Sequence, residues 1–270
     1  MTLFHGLSFA DYVAFDREHF SRLRLLDISP LAYHRETKKK DTNALRIGRA
    51  VHAFVMDPNA VEIIAYDGRR QGKKWEDFEA EHEGAIILSP DAYERAMAMR
   101  DAVHAHPAAS KLLNAGEGEE SLFFEVAGVQ CKARIDWIAK DGTVVELKTT
   151  RAIIPGRFAH EYARRLYHAQ IALYRMGLEA ERYGRPPVVT IALENAPPYD
   201  VAVYRVGEDV LEVGKRKVLT WLDTLARCRE SGQWPGVGGH SIDGMLDLQL
   251  PDWAITDGLP DIELEDEHGD

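Results

Sequence analysis

The chain has 270 residues, 45% hydrophobic and 29% charged, with a formal net charge of −11. That balance describes a globular chain long enough to bury a full core, and no uncharged apolar run approaches the roughly 20 residues needed to span a bilayer. The opening MTLFHGLSFADY lacks the basic and then apolar segments of a signal peptide, so a cytoplasmic protein is expected, with no membrane partner.

Cys131 and Cys228 form no CxxC pair, which leaves neither a disulfide framework nor a cysteine metal site; both are read as small buried hydrophobes. The negative charge is unevenly placed. Asp257, Asp261, Glu263, Glu265, Asp266, Glu267 and Asp270 face no Lys or Arg between 257 and 270, so these seven acids leave −4 of the −11 for the rest. The segment 255–270 reads as a solvated, disordered acidic tail. Bases cluster elsewhere, in Lys38, Lys39, Lys40, Arg46 and Arg49, in Arg69, Arg70, Lys73 and Lys74, and in Arg151, Arg157, Arg164 and Arg165. Each cluster alone is a solvated face as readily as a phosphate track.

In chain order, apolar residues at helical spacing predict a helix over Thr42–Met56 with a Thr42 or Asp41 cap, which carries His52. The basic loop GRRQGKKW (68–75) leads into a polar helical stretch. A second helix is predicted over Ser89–Ala105, with Ser89 and Pro90 at its start. Ser121–Ala127, Val129–Ala139 and Thr143–Thr150 read as a three-strand meander, followed by one long helix from about Arg157 to Tyr183. Strands over Val188–Glu194 and Val201–Val206 and a last helix over Glu208–Arg229 complete a mixed α/β sheet flanked by helices.

Within the meander, DWIAKDGTVVELKTT (136–150) places Asp136, Glu146 and Lys148 on strands whose other residues favour burial. Alternation puts Glu146 and Lys148 on one face. A two-residue turn at Asp141 and Gly142 would turn Asp136 away from Glu146, whereas a three-residue loop of Lys140, Asp141 and Gly142 would set the two carboxylates directly opposite. Facing carboxylates repel unless something positive lies between them. Their oxygens are hard ligands suited to Mg²⁺ or Mn²⁺, and a lysine two residues beyond shares their face.

The flanking residues extend the pattern: GRAVHAFVMDP around His52, RRQGKKW from Arg69, SLFFEV with Glu125, CKARIDWI ending on Asp136, VVELKTT, YHAQIALY from Tyr167 to Tyr174, and QWPGV near Trp234. In this order the chain resembles the PD-(D/E)xK nuclease superfamily, its RecB-type branch, and most closely the exonuclease VIII-like (RecE-type) recombination exonucleases. The resemblance implies a restriction-endonuclease-like core over residues 1–254. It also implies a metal-dependent exonuclease that resects linear duplex DNA ends 5′ to 3′ for phage-type recombination or repair. An endonuclease of the same superfamily, or a non-catalytic DNA-binding or recombination-partner protein, are the competing expectations.

Carried over residue by residue, His52, Asp136, Glu146 and the Leu147 carbonyl would bind Mg²⁺ or Mn²⁺. Lys148 would be catalytic, Gln170 would place the phosphate or the lysine, and Tyr174, with Tyr167 one turn before Gln170, would contact the strand. Glu125 would reach a second metal, the lysine or substrate, and Arg69, Arg70, Lys73 and Lys74 would track phosphates. Thr149 and Thr150 could offer hydroxyls to a phosphate, although β propensity explains them equally. A ring-like homo-oligomer and a single-strand annealing recombinase as partner follow from the resemblance alone. The related enzymes with an iron–sulfur cluster use four cysteines; two cannot build one, so that cofactor is not expected.

Overall fold

The computed structural model describes residues 3–37, 41–57, 61–239 and 245–251. The tail 255–270 and the Lys38, Lys39 and Lys40 cluster lie outside the described residues. The chain begins with β1 (Leu3–Phe4), α1 (Phe9–Ala14), α2 (Phe20–Leu23) and α3 (Pro30–His34), then α4 (Asn43–Met56), β2 (Ile63–Ala65) and α5 (Lys73–Glu81). Next come β3 (Ile86–Leu88), α6 (Pro90–Ala105), α7 (Pro107–Leu113), β4 (Gly116–Val126), β5 (Val129–Ala139) and β6 (Val144–Thr150). The last elements are α8 (Pro155–Arg164), α9 (Tyr167–Ala180), β7 (Val188–Glu194), β8 (Val201–Arg205) and α10 (Glu208–Ser231).

Six strands form one sheet in the order β1-β4-β5-β6-β7-β8. All neighbours are antiparallel except β6 and β7. A parallel pair needs a long crossover, and α8 and α9 supply it. Among the described residues no helix is long and apolar enough to cross a membrane.

Local signals account for the helix starts. Thr42 caps α4 by accepting from the Leu45 N–H, and Ser89 caps α6 by accepting from Ala92, with Pro90 in the first turn. Ile47, Val51 and Val55, four residues apart, form one buried stripe of α4. That stripe and α6 share a core with Val145 and Leu147 of β6 and with Ile191 and Leu193 of β7. Val144 and Ala192 instead join α9, α10 and the N-terminal helices in a second core. The sheet therefore lies between two helical layers, and each fully buried Leu or Val contributes roughly 2 kcal/mol. Cys131 and Cys228 are both buried free thiols.

The helix predicted over Arg157–Tyr183 is two helices. Leu166 adopts φ +61°, a left-handed conformation that ends α8 and redirects the chain into α9. Each part satisfies helical periodicity and neither Gly nor Pro stands between them, so the break carries no local punctuation. β4 is also longer than predicted, starting at Gly116 rather than Ser121. Its first residues, GEGEE, have poor β propensity and are held by pairing with Trp137, Ile138 and Ala139 of β5.

Candidate active site

The β5–β6 turn settles where Asp136 points. Gly142 has φ +85°, its N–H bonds the Ala139 carbonyl at 2.8 Å, and Ala139 N–H bonds the Thr143 carbonyl at 2.9 Å. This is the three-residue loop with glycine in the left-handed region. The rungs Trp137↔Val145 and Ile138↔Val144 continue to Asp136 opposite Glu146. There the strands part, and the Leu147 N–H bonds Asp136 Oδ2 at 2.8 Å instead of a β5 carbonyl. β6 stays paired with β7 along its whole length, so Glu146 and Lys148 project from a fixed strand into this opening.

The charge of the Asp136 carboxylate reaches Glu146 across this opening, and both carboxylates feel the charge of Lys148. Burial raises Asp136 to about 7, and burial followed by the charge of Asp136 raises Glu146 to about 7. Such a pair holds a proton or a cation between its members. Lys148 Nζ donates to Glu146 Oε1 at 2.5 Å and to Gln170 Oε1 at 3.0 Å, and lies 4.5 Å from the Tyr167 ring centre. Burial pulls its pKa down, but the charges of Glu146 and then Asp136 outweigh that and hold it above the ordinary lysine value.

From α9, Gln170 Nε2 donates to Glu146 Oε1 and to the Tyr174 hydroxyl, each at 2.7 Å. Helical spacing of four aligns Gln170 with Tyr174 on the buried side of α9. Burial, followed by the nearby carboxylates, keeps the Tyr174 hydroxyl protonated well above its ordinary range.

His52 enters from α4. Its Nδ1 lies 3.4 Å from Asp136 Oδ2, and its ring makes a backbone hydrogen bond at Leu147. Burial lowers its pKa, which favours the neutral imidazole, the form that can ligate a metal. At position 48 α4 passes close to β6: a Cβ there would make ordinary contact with the Thr149 hydroxyl at 3.9 Å.

The donor set fits a divalent cation. Glu146 Oε2 is buried and makes no hydrogen bond, although its sister oxygen makes two. Ligand atoms of His52, Asp136 and Glu119 lie within 4.8 Å of one another. Glu119 is absent from the sequence expectations. It stands opposite Asp136 in a β4–β5 register whose neighbouring rungs, Gly118↔Trp137 and Glu120↔Ile135, both form. It departs from strand geometry with φ +54°, uncommon for a residue with a Cβ. The one sequence signal for it is an acid framed by glycine and further acids, GEGEE, where a strand would ordinarily be apolar.

The remaining expected residues lie in other settings. Glu125 is exposed beside the β4–β5 hairpin and hydrogen-bonded to Gln130. Six residues of strand separate Gln130 from Asp136, about 20 Å, so the structure does not bring Glu125 to the opening. Arg70 donates to the Ile87 carbonyl at 2.7 Å and packs on Trp75, which ties it to β3. Arg69, Lys73 and Lys74 are exposed just before and at the start of α5. Thr150 is buried, with its hydroxyl donating to Glu161 at 2.6 Å, a bond that pins the start of the crossover; Thr149 is half-buried against α4.

A family model described as a PDDEXK-like domain of unknown function (DUF3799) matches residues 20–242. No curated protein matches the chain significantly. Among solved structures, a candidate exonuclease from Eubacterium rectale is 12% identical, with 94% of this chain and 99% of that one aligned at a TM-score of 0.63. A phage-related exonuclease from Haemophilus somnus is 10% identical, with 82% and 99% covered at a TM-score of 0.35. The first similarity, with the family match, identifies the sheet and its helical layers as a restriction-endonuclease-like fold.

Proposed function

The chain belongs to the PDDEXK-like DUF3799 family, and on that premise we propose that it is a Mg²⁺- or Mn²⁺-dependent deoxyribonuclease, an exonuclease acting on linear duplex ends. The observation that carries this reading is Glu146 Oε2, a buried carboxylate oxygen without a hydrogen bond beside Asp136 and Lys148. Leaving such an atom unpaired costs about 1–3 kcal/mol, a penalty a metal ligand escapes when loaded. Asp136, Glu146, His52 and the Leu147 carbonyl would hold the cation, which supplies Lewis-acid stabilisation of a phosphoryl oxygen and a water of lowered pKa.

The residues of the chain then divide the work. Lys148, protonated and held by Glu146 and Gln170, is aimed at the same opening and would stabilise negative charge developing on the phosphate. Gln170 fixes the lysine by accepting its N–H, and its own amide ties Glu146 to Tyr174. Tyr167, under the lysine, would lie along the strand being cut. Exposed Arg69, Lys73 and Lys74 would meet phosphates farther out, so binding should weaken as salt rises. Resection polarity, recombination and repair, a ring-shaped assembly and an annealing partner remain part of the same reading through the resemblance.

The test is digestion of end-labelled linear duplex and of covalently closed circular DNA with Mg²⁺, Mn²⁺ or EDTA. Metal-dependent loss of the linear substrate alone is the expected outcome. Nicking of the circle would make the chain an endonuclease, and cleavage of neither substrate with DNA binding intact would overturn the catalytic reading.

A further inference from the structure

Glu119 has an unusual support. Its Oε2 accepts from Arg134 Nε at 2.6 Å, and Arg134 Nη1 donates to Ser121 Oγ at 3.1 Å and to the Leu7 carbonyl at 2.9 Å. The guanidinium lies 5.9 Å from the Phe9 ring and 5.8 Å from the Tyr12 ring, both on α1. Two residues along β5, Lys132 Nζ donates to the carbonyls of Tyr12, Val13 and Phe15. The segment 7–15 is thus fastened to β5 at both ends, by half-buried Arg134 and by buried Lys132, although the family match begins only at residue 20.

We propose that Arg134 is a positioning residue for the cation site. It holds Glu119 in its left-handed conformation so that the carboxylate faces His52 and Asp136, and it takes its own rigidity from the segment 7–15. Three observations combine. A glutamate at φ +54° costs roughly 1–2 kcal/mol through crowding of its Cβ against the backbone, a cost that its other contacts must offset. The hydrogen-bond fork of Arg134 is occupied on Glu119, Ser121 and Leu7 together, so the guanidinium cannot follow a moving Glu119. Glu119 is the acid whose ligand atom lies within 4.8 Å of those of both His52 and Asp136. Gly118 makes the approach possible: a Cβ at that position would stand 2.4 Å from the Met56 carbonyl at the end of α4.

The inference rests on the cation reading given above, and its test separates the two. Mn²⁺ affinity is measured calorimetrically, without DNA, for the wild type, Glu119→Gln, Arg134→Gln, the double variant and Asp136→Asn, each checked by thermal melting in EDTA. Glu119→Gln and Arg134→Gln should each weaken Mn²⁺ about 10-fold, in the range usual for residues that orient metal ligands. The double variant should be no weaker than either single one, because Arg134 acts through Glu119. Arg134→Lys, which keeps the charge but loses the planar fork, should fall between wild type and Arg134→Gln, and carries the test if the glutamine variant does not fold. Unchanged affinity in Arg134→Gln, or losses that add in the double variant, would overturn the proposal while leaving the site intact. Unchanged affinity in Asp136→Asn would overturn the cation reading and the proposal with it.

Discussion

Two lysines on neighbouring strands, Lys132 of β5 and Lys148 of β6, are both withdrawn from solvent and differ in what surrounds them. The ammonium of Lys132 is saturated by three backbone carbonyls at the end of α1, and burial lowers its pKa. Lys148 has two hydrogen bonds, both to side chains, and the ring of Tyr167 beside it. Burial acts on it in the same direction, yet the carboxylates reverse the result. The first ammonium replaces backbone donors that a helix end lacks; the second sits in a group of acids and amides that is incompletely satisfied without a further positive partner. Burial alone does not distinguish a structural lysine from the one proposed to act on substrate; the identity of its partners does.

The sharpest way to break this contrast is to remove the charged groups of the opening. Lys148→Ala should lower metal-dependent DNA cleavage by about 10²–10⁴-fold, the range for losing a positioned catalytic group, with DNA binding retained in a gel-shift assay. Lys132→Met should instead cost about 3 kcal/mol of stability, because several carbonyls lose a charged donor; denaturant unfolding measures it.

Asp136→Asn sharpens the account through pH. Asp136 is raised to about 7 in the folded chain from an ordinary 3.8. The folded state therefore binds the proton more tightly, and metal-free wild type should lose stability as pH rises from about 4 to about 7. Asparagine keeps the bond from Leu147 and removes the charge, so the variant should melt higher than wild type in EDTA at pH 8. Mn²⁺ should raise only the wild type. Melting curves against pH, with and without metal, decide it. The smallest effect belongs to Glu125→Gln, which should leave cleavage within about two-fold of wild type, as expected for an exposed residue about 20 Å along the strand.

How much of this was legible in the sequence follows from the same chemistry. The bounds of β5 and β7 and the caps of α4 and α6 were, because alternation, Ser/Thr capping and Pro placement are local signals. Asp136, Glu146 and Lys148 stood out as charges within apolar strands, and the choice between two turns needed only the backbone bonds that pair Ala139 with Thr143. Glu119 was not legible. The acid expected from the motif SLFFEV was Glu125, but the hairpin register carries that position to the far end of β5, whereas the acid that reaches the opening lies six residues earlier, in a run with poor strand propensity and an unusual φ. The break at Leu166 goes with its packing against the core, and the docking of residues 7–15 on the sheet depends on tertiary contacts of Arg134 and Lys132; no local pattern encodes either.

The measurement that bears most directly on the central claim compares Lys148→Met with Lys132→Met in cleavage of linear duplex with Mn²⁺, expressed per folded molecule. The account predicts that Lys148→Met is folded and inactive even at saturating Mn²⁺, while Lys132→Met is less stable and, at saturating Mn²⁺, cleaves at nearly the wild-type rate. Wild-type cleavage by Lys148→Met would contradict the assignment of this opening as the active site.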